Sequence, residues 1–114
     1  MSARSANSTA SRPPLIARLW HGVVPAAKGD AYAAYLRATG VAECRATPGN
    51  RGVQVLRRTL GAETHFLFIS LWESIEAIRR FAGAEVERAR YYPEDRGYLL
   101  ELEPTVTHYE VVER

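Results

Sequence analysis

The chain has 114 residues, a length that favours one domain built around one hydrophobic core. Its 15 basic and 13 acidic side chains nearly cancel and are interleaved, which argues against a nucleic-acid partner and against binding to a membrane surface. The one cysteine, Cys44, excludes an internal disulfide and favours a reducing compartment, so we expect a cytoplasmic protein.

The first 14 residues are small, polar and basic, and they end in two prolines. Such a segment buries too little apolar surface to offset the entropy lost on ordering. We therefore expect a disordered tail over residues 1–14 and a folded domain over residues 15–114. The tail lacks the apolar centre of a secretory signal, and no apolar run is long enough for a transmembrane helix.

The first half of the domain is expected to form a strand and then a helix. Alternating side chains over residues 15–24 favour a strand, which Pro25 ends. An apolar stripe predicts a helix that starts at residue 26 or 30, runs to residue 39 and stops at Gly40. A proline–glycine breaker then predicts a turn-rich connection over residues 41–51.

The second half is expected to begin with a hairpin. Residues 52–60 predict a strand whose charges suit a sheet edge, and a short glycine turn follows. Residues 65–72 are nearly all apolar and predict a buried central strand, which leads directly into an amphipathic helix ending at Gly83. A short helix over residues 84–91 and a strand over residues 105–112 complete the domain.

The predicted order is strand, helix, strand, strand, helix, strand, which is the split βαβ pattern of an α+β, ferredoxin-like fold. Right-handed crossovers place both helices on one face of a four-stranded antiparallel sheet. The third strand has apolar side chains on both faces, so the face without helices also needs cover. A homodimer with its two sheets packed face to face, a dimeric α+β barrel, would provide that cover.

Several segments resemble the antibiotic biosynthesis monooxygenase family. They are ARLWHGVVP on the first strand, TPGNRGVQVLRR, HFLFISLWESIEAIRRFAG, ERARYYPED and EPTVTHYEVV. The LWES step from strand to helix is the most specific of them, and the resemblance covers roughly residues 15–112. It implies a ferredoxin-like fold and a dimeric α+β barrel.

The family includes cofactor-free oxygenases of aromatic polyketides, quinol oxygenases and haem-degrading oxygenases. The haem-degrading branch carries an asparagine on the first strand, a tryptophan in the second-half helix and a histidine after it. The corresponding positions here hold Trp20 or His21, Phe81 and Tyr91. The resemblance therefore implies an oxygenase without a tightly held cofactor, and these departures argue against a haem degradase.

The three histidines, His21, His65 and His108, fall on three different predicted strands. Histidine moves protons readily near neutral pH, and a base would convert a phenol into the phenolate that reacts with O₂. His21 and His108 are the candidate bases, because the first and last strands are neighbours in this topology. A histidine on a strand is more often structural. No HxH, HxxxH or Cys/His cluster is present, so no metal site is predicted.

Five aromatic residues are candidates for the walls of a substrate pocket between sheet and helices: Trp20, Phe68, Trp72, Tyr91 and Tyr92. Small-molecule pockets are largely apolar, have a few polar groups and measure several hundred Å³, so we expect a cavity of that size. Tyr32 or Tyr35 would face these walls. The alternative is that the aromatic residues simply fill the core.

Two functions follow from these residues. The first is a cofactor-independent monooxygenase that oxidises a phenolic or quinol-like small molecule with O₂, with His21 or His108 as the base. The second is a non-catalytic dimeric module that binds a small aromatic or haem-like ligand. A dimer whose pocket has lost its function is a third interpretation. A cavity that holds a histidine and a tyrosine would favour the enzyme.

Overall fold

Residues 13–114 are described by the structure, which is a computed structural model. The predicted tail therefore lies almost entirely outside the described residues. The sheet has four strands: β1 (Ile16–Pro25), β2 (Asn50–Leu60), β3 (Glu63–Trp72) and β4 (Thr107–Glu110). Their order is β2-β3-β1-β4, and every neighbouring pair is antiparallel.

This strand order confirms the predicted ferredoxin-like α+β fold. The apolar β3 lies inside the sheet, the charged β2 lies at one edge, and β1 pairs with both β3 and β4. The last strand is shorter than predicted and does not include residues 105, 106, 111 and 112. Within residues 13–114, none of the helices is long and apolar enough to cross a membrane.

The two faces of the sheet have different surroundings. On the inner face, which the helices cover, Trp20 lies opposite Phe68, and both side chains are buried. The outer face carries the intervening side chains, such as His21 opposite Leu67. On β2 it carries Leu56 and Leu60, which are 47% and 49% exposed. The hydrophobic core therefore lies wholly on the inner side of the sheet.

The first helical region is longer than predicted and does not stop at Gly40. It comprises a 3₁₀ turn (Ala26–Lys28), α1 (Gly29–Leu36), a π-helical turn (Arg37–Val41) and α2 (Ala42–Ala46). A Cβ at position 40 would lie 3.1 Å from the ring of Phe68, so the glycine allows close packing inside the π turn. Glycine was interpreted as a stop signal, but here its missing side chain favours close packing against the sheet.

The helix after β3 forms as predicted, as α3 (Ile75–Ala82). The Ser74 hydroxyl accepts a hydrogen bond from the Ala77 amide at 3.1 Å, which satisfies one of the free amides of the first turn. Gly83, at φ +93°, ends the helix in a conformation that disfavours other residues.

The prediction of a helix over residues 84–91 is wrong. Residues 84–105 form one long covering segment, whose regular structure is a 3₁₀ turn (Pro93–Gly97). The Ala89 amide donates to the Pro104 oxygen at 2.9 Å and the Val106 amide to the Glu87 oxygen at 2.8 Å. These long-range bonds use the backbone groups that a helix would have paired locally, so tertiary contacts override the local helix preference.

Two glycines with similar positive φ allow a test of packing at the junction between β2 and α3. At Gly49 (φ +95°) a Cβ would lie 2.4 Å from the Cβ of Ala77, whereas at Gly83 (φ +93°) it would meet open space. We expect Gly49→Ala to lower the free energy of unfolding by about 1–3 kcal/mol more than Gly83→Ala, the usual cost of overpacking. Urea denaturation measures both, and equal losses would contradict the packing argument.

Candidate functional site

A small, partly open cavity lies between the inner face of the sheet, α1 and the covering segment. Its volume is about 40 Å³, enough for a few ordered waters but far below the several hundred Å³ that we expected. Most of its walls are aromatic, and its polar groups come from two arginines, three tyrosines and one aspartate. The lining residues are Arg18, Trp20, Tyr32, Leu36, Gly40, Phe68, Phe81, Arg90, Tyr91, Tyr92 and Asp95.

A larger, open cleft of about 750 Å³ lies on the other side of the covering segment. Tyr91 and Tyr92 line both the cleft and the small cavity. These two residues therefore lie between the two spaces, and we call them the partition.

Tyr91 is held by a chain of hydrogen bonds that starts on the floor of the cavity. Trp20 donates from its indole nitrogen to the Tyr91 hydroxyl at 3.0 Å, and that hydroxyl donates to the Glu103 main-chain oxygen at 2.6 Å. Burial raises the pKa of Tyr91, so the hydroxyl stays protonated near neutral pH. The indole lies over Gly22, where a Cβ would be 2.2 Å from the nearest ring carbon.

A buried tyrosine–aspartate pair closes one end of the cavity. The Tyr32 hydroxyl donates to Asp95 at 2.8 Å, and the Tyr92 amide donates to the other carboxylate oxygen at 2.6 Å. Asp95 is 3% exposed, and it is the one carboxylate among the described residues that line the cavity. Burial and the hydrogen bond to Asp95 raise the pKa of Tyr32 well above its ordinary range.

Glu43 of α2 fastens the covering segment to the helical layer. It accepts hydrogen bonds from the Tyr92 hydroxyl at 2.6 Å and from Arg90 at 2.8 Å. The hydrogen bond from Tyr92 comes first among the causes that lower the pKa of Glu43. The guanidinium of Arg90 also lies 5.0 Å from the ring centroids of both Phe81 and Tyr92. One carboxylate thus fixes two cavity-lining residues.

The sequence model of the antibiotic biosynthesis monooxygenases matches residues 23–89, more than half of the chain. The chain belongs to this family. None of the curated proteins matches the sequence.

Solved structures also resemble this family member in fold. A candidate antibiotic biosynthesis monooxygenase from Bacillus cereus is 16% identical, with a TM-score of 0.58 over 89% of this chain and 96% of its own. A second, from Nitrosomonas europaea, is 14% identical, with a TM-score of 0.64 and coverages of 89% and 93%. A heme-degrading protein from Mycobacterium tuberculosis, solved without heme, is 23% identical, with a TM-score of 0.59 and coverages of 90% and 97%. At these identities the likeness shows the shared fold.

Four of the five predicted wall residues line the cavity of this antibiotic biosynthesis monooxygenase family member: Trp20, Phe68, Tyr91 and Tyr92. Trp72 does not. It is fully buried, its ring packs 5.8 Å from that of Phe81, and its indole nitrogen donates to the Ser70 hydroxyl at 2.8 Å. Trp72 therefore fills the core beside the cavity, as the alternative interpretation of the aromatic residues expects.

Neither candidate base lines the cavity. His21 lies on the outer face of the sheet, with its Nδ1 2.7 Å from Glu103 and its Nε2 3.1 Å from Nδ1 of His65. His108 lies on the inner face beside Arg18, and its Nε2 is buried without a hydrogen-bond partner. Burial and then the charge of Arg18 lower the pKa of His108. The sheet thus separates the two histidines, although their strands are neighbours as expected.

The structure adds polar residues that the sequence prediction missed, chiefly Arg18, Arg90 and Asp95. The signal for Arg18 was present, because strand alternation places this charge on the same face as Ile16 and Trp20. Asp95 had no such signal, since its position depends on the path of the irregular covering segment. Within residues 13–114, no group of three or more His, Cys, Asp or Glu side chains is arranged to hold a metal ion.

Glu43→Gln tests how firmly the covering segment is fastened. We expect a loss of about 1 kcal/mol in the free energy of unfolding at pH 7, less than for a buried charged group because Glu43 is 42% exposed. The pKa of Glu43 is lowered in the folded state. The carboxylate therefore stabilises the fold fully above the pKa that it has in the unfolded chain, about 4.3, and this stabilisation is lost as the pH falls through the pKa of the folded state.

Urea denaturation of both proteins between pH 7 and acid measures this effect. The stabilities of the wild type and Glu43→Gln should converge as the pH falls. The exposed Glu113→Gln is the control and should change little at any pH. If the difference in unfolding free energy between the two proteins stayed constant in acid, the Glu43 carboxylate would not be the source of the stabilisation.

Proposed function

We propose that this protein is a cofactor-independent monooxygenase that oxidises a phenolic or quinol-like aromatic molecule with O₂ in the cavity below Tyr91 and Tyr92. Membership of the antibiotic biosynthesis monooxygenase family supports an oxygenase. The observation that carries the proposal is a small, partly open, aromatic-walled cavity with one buried carboxylate in its lining. Such a site suits a flat ring that must lose a proton.

The reaction balances without a second reductant. A phenol ring gives up one C–H hydrogen and its hydroxyl hydrogen, and one oxygen atom of O₂ becomes the new C=O of a quinone. The other oxygen atom leaves as water with those two hydrogens. The substrate supplies all four electrons, and the protein is required to bind the ring, accept a proton and exclude solvent.

Asp95 is the residue that we propose as proton acceptor. It lines the cavity and is 3% exposed, and its carboxylate is positioned by Tyr32 and by the Tyr92 amide. A base must lie within hydrogen-bond reach of the proton that it removes. His21 lies across the sheet and His108 lies outside the lining, so the geometry favours Asp95 over both histidines.

Substrate entry requires the partition to move, because a cavity of about 40 Å³ does not hold an aromatic ring. Tyr91 and Tyr92 separate it from the open cleft, and each hydroxyl is held by a short hydrogen bond. Exchanging these bonds for bonds to a ligand is a small energetic change. The cleft is therefore the proposed entrance, and the covering segment is the proposed moving part.

Oxygen consumption with a panel of phenols and hydroquinones tests the proposal. We expect turnover by the wild type and a loss of at least about 100-fold in Asp95→Asn, the usual contribution of a general base. Asp30→Asn is the matched control, since Asp30 is 95% exposed and pairs with Arg57. Far-ultraviolet circular dichroism and thermal melting verify that each variant folds.

The same assay tests the other assignments. His21→Ala and His108→Ala should each retain most of the activity. If either variant lost as much activity as Asp95→Asn, the histidine that it replaces would be the base. Absence of oxygen uptake with every substrate, together with saturable binding of phenols or of haem, would replace the monooxygenase with a ligand-binding module.

We also propose that the protein is a homodimer joined through the outer face of the sheet. This face carries exposed leucines, and the helices pack on the opposite face. A second copy would bury these side chains and remove the apolar patch.

Sedimentation velocity tests the dimer. We expect the wild type to sediment as a dimer at micromolar concentration and Leu56→Arg to sediment as a monomer, because the arginine would place a charge in an apolar contact. Ala34→Arg adds the same charge at an exposed position of α1 and should leave the dimer intact. A dimeric Leu56→Arg variant would place the interface elsewhere.

A further inference from the structure

Arg18 is a buried cation that has no carboxylate partner among the described residues. Its side chain is 5% exposed, and it takes part in none of the ion pairs within residues 13–114. Its Nη2 donates to the main-chain oxygens of Arg88 at 2.9 Å and Val86 at 3.4 Å. Its Nε is buried without any hydrogen-bond partner. An unpaired buried charge is costly unless something else supplies the opposite charge.

Neither Asp95, the carboxylate among the described residues that line the cavity, nor the nearby Glu43 neutralises Arg18. The Glu43 carboxylate pairs with Arg90 at 2.8 Å. The Asp95 carboxylate accepts hydrogen bonds from Tyr32 and from the Tyr92 amide. Burial is the largest cause that lowers the pKa of Arg18, and repulsion from Arg90 lowers it further. The guanidinium nevertheless stays protonated near neutral pH, because its ordinary pKa is above 12.

The surroundings of Arg18 suit an aromatic ligand with a negative group. The guanidinium carbon lies 5.6 Å from the ring centroid of Phe81, and Trp20 and Phe68 line the cavity beside it. A guanidinium is a planar donor that matches the geometry of carboxylate and other oxyanions. At a buried, low-dielectric position such as that of Arg18 this contact is stronger than in water.

We propose that Arg18 is the anion-recognition residue of this cavity and that the ligand carries a carboxylate or phenolate oxygen on an aromatic ring. The ligand would then supply the negative charge that the described side chains do not provide to Arg18. This proposal rests on the proposed use of the cavity as a ligand site, and it narrows the substrate class to aromatic oxyanions. In the proposed reaction the same contact would stabilise the phenolate that forms when the phenol loses its proton.

Binding of four small aromatic probes tests the proposal without turnover. Benzoate and benzamide have similar shapes and differ in charge, as do 4-nitrophenolate and 4-nitroanisole. Isothermal titration calorimetry should show at least tenfold tighter binding of benzoate than of benzamide to the wild type. 4-Nitrophenolate should likewise bind more tightly than 4-nitroanisole if phenolates are accepted, and the two pairs distinguish carboxylate from phenolate recognition.

Three variants identify the residue responsible. Arg18→Met keeps the length of the side chain and removes the charge, so it should bind benzoate and benzamide equally. Arg18→Lys keeps the charge and should retain part of the preference. Arg79→Met is the control, because Arg79 lies on α3 in an exposed pair with Glu76, and it should behave as the wild type.

Each remaining outcome overturns part of the argument. A wild type that binds neutral and anionic probes equally, or binds none of them, rejects anion recognition without any use of the variants. A preference that survives in Arg18→Met assigns it to another residue. Charge preference without oxygen uptake would reject the monooxygenase and leave the role of Arg18 intact. Oxygen uptake with no charge preference would support the monooxygenase and reject the role of Arg18.

Discussion

The cavity depends on one constraint, which is that the covering segment is held on the sheet mainly by side chains. Residues 84–105 have little regular structure, and a main-chain hydrogen bond from the Leu100 amide to the Val23 oxygen at 2.9 Å adds to these side-chain contacts. Arg18 binds the main-chain oxygens of residues 86 and 88 from below, and Glu43 binds Arg90 and Tyr92 from the helical layer. The roof of the cavity is therefore fixed by Arg18, Arg90 and Tyr92, which line the cavity, and by Glu43, which lies outside the lining. The structure of the cavity and its chemistry are coupled through the first three residues.

The centre of the domain, by contrast, could be predicted from the sequence. Residues 65–83 carry strong local signals, namely a continuous apolar strand, a Ser74 cap and a terminal glycine, and tertiary contacts agree with them. The charges of β2 likewise indicated an edge. In these elements the local preference and the final packing favour the same structure, so the strand order and the fold follow from the pattern.

The predictions from sequence are wrong where a local signal competes with packing. Gly40 has the residue type of a helix stop, but it packs against the ring of Phe68, where a Cβ would be a tight fit, and the helix continues through a π turn. The helical composition of residues 84–91 is overridden by long-range backbone bonds to residues 104–106. Asp95 enters the cavity through this irregular path, so no periodicity in the sequence indicates it. Arg18 could have been recognised, because it is the one charge on an otherwise apolar strand face.

The packing of Trp20 over Gly22 has a consequence for how the cavity can change. The indole rests where a side chain at position 22 would be, and Leu99 of the covering segment lies 2.9 Å from the same position. Both the floor of the cavity and the covering segment therefore limit the size of residue 22. Enlarging position 22 would displace the indole and with it the hydrogen bond that holds Tyr91. The volume of the site and the position of its partition are thus tied to a single β1 position, which offers a direct route to alter the size of the accepted ligand.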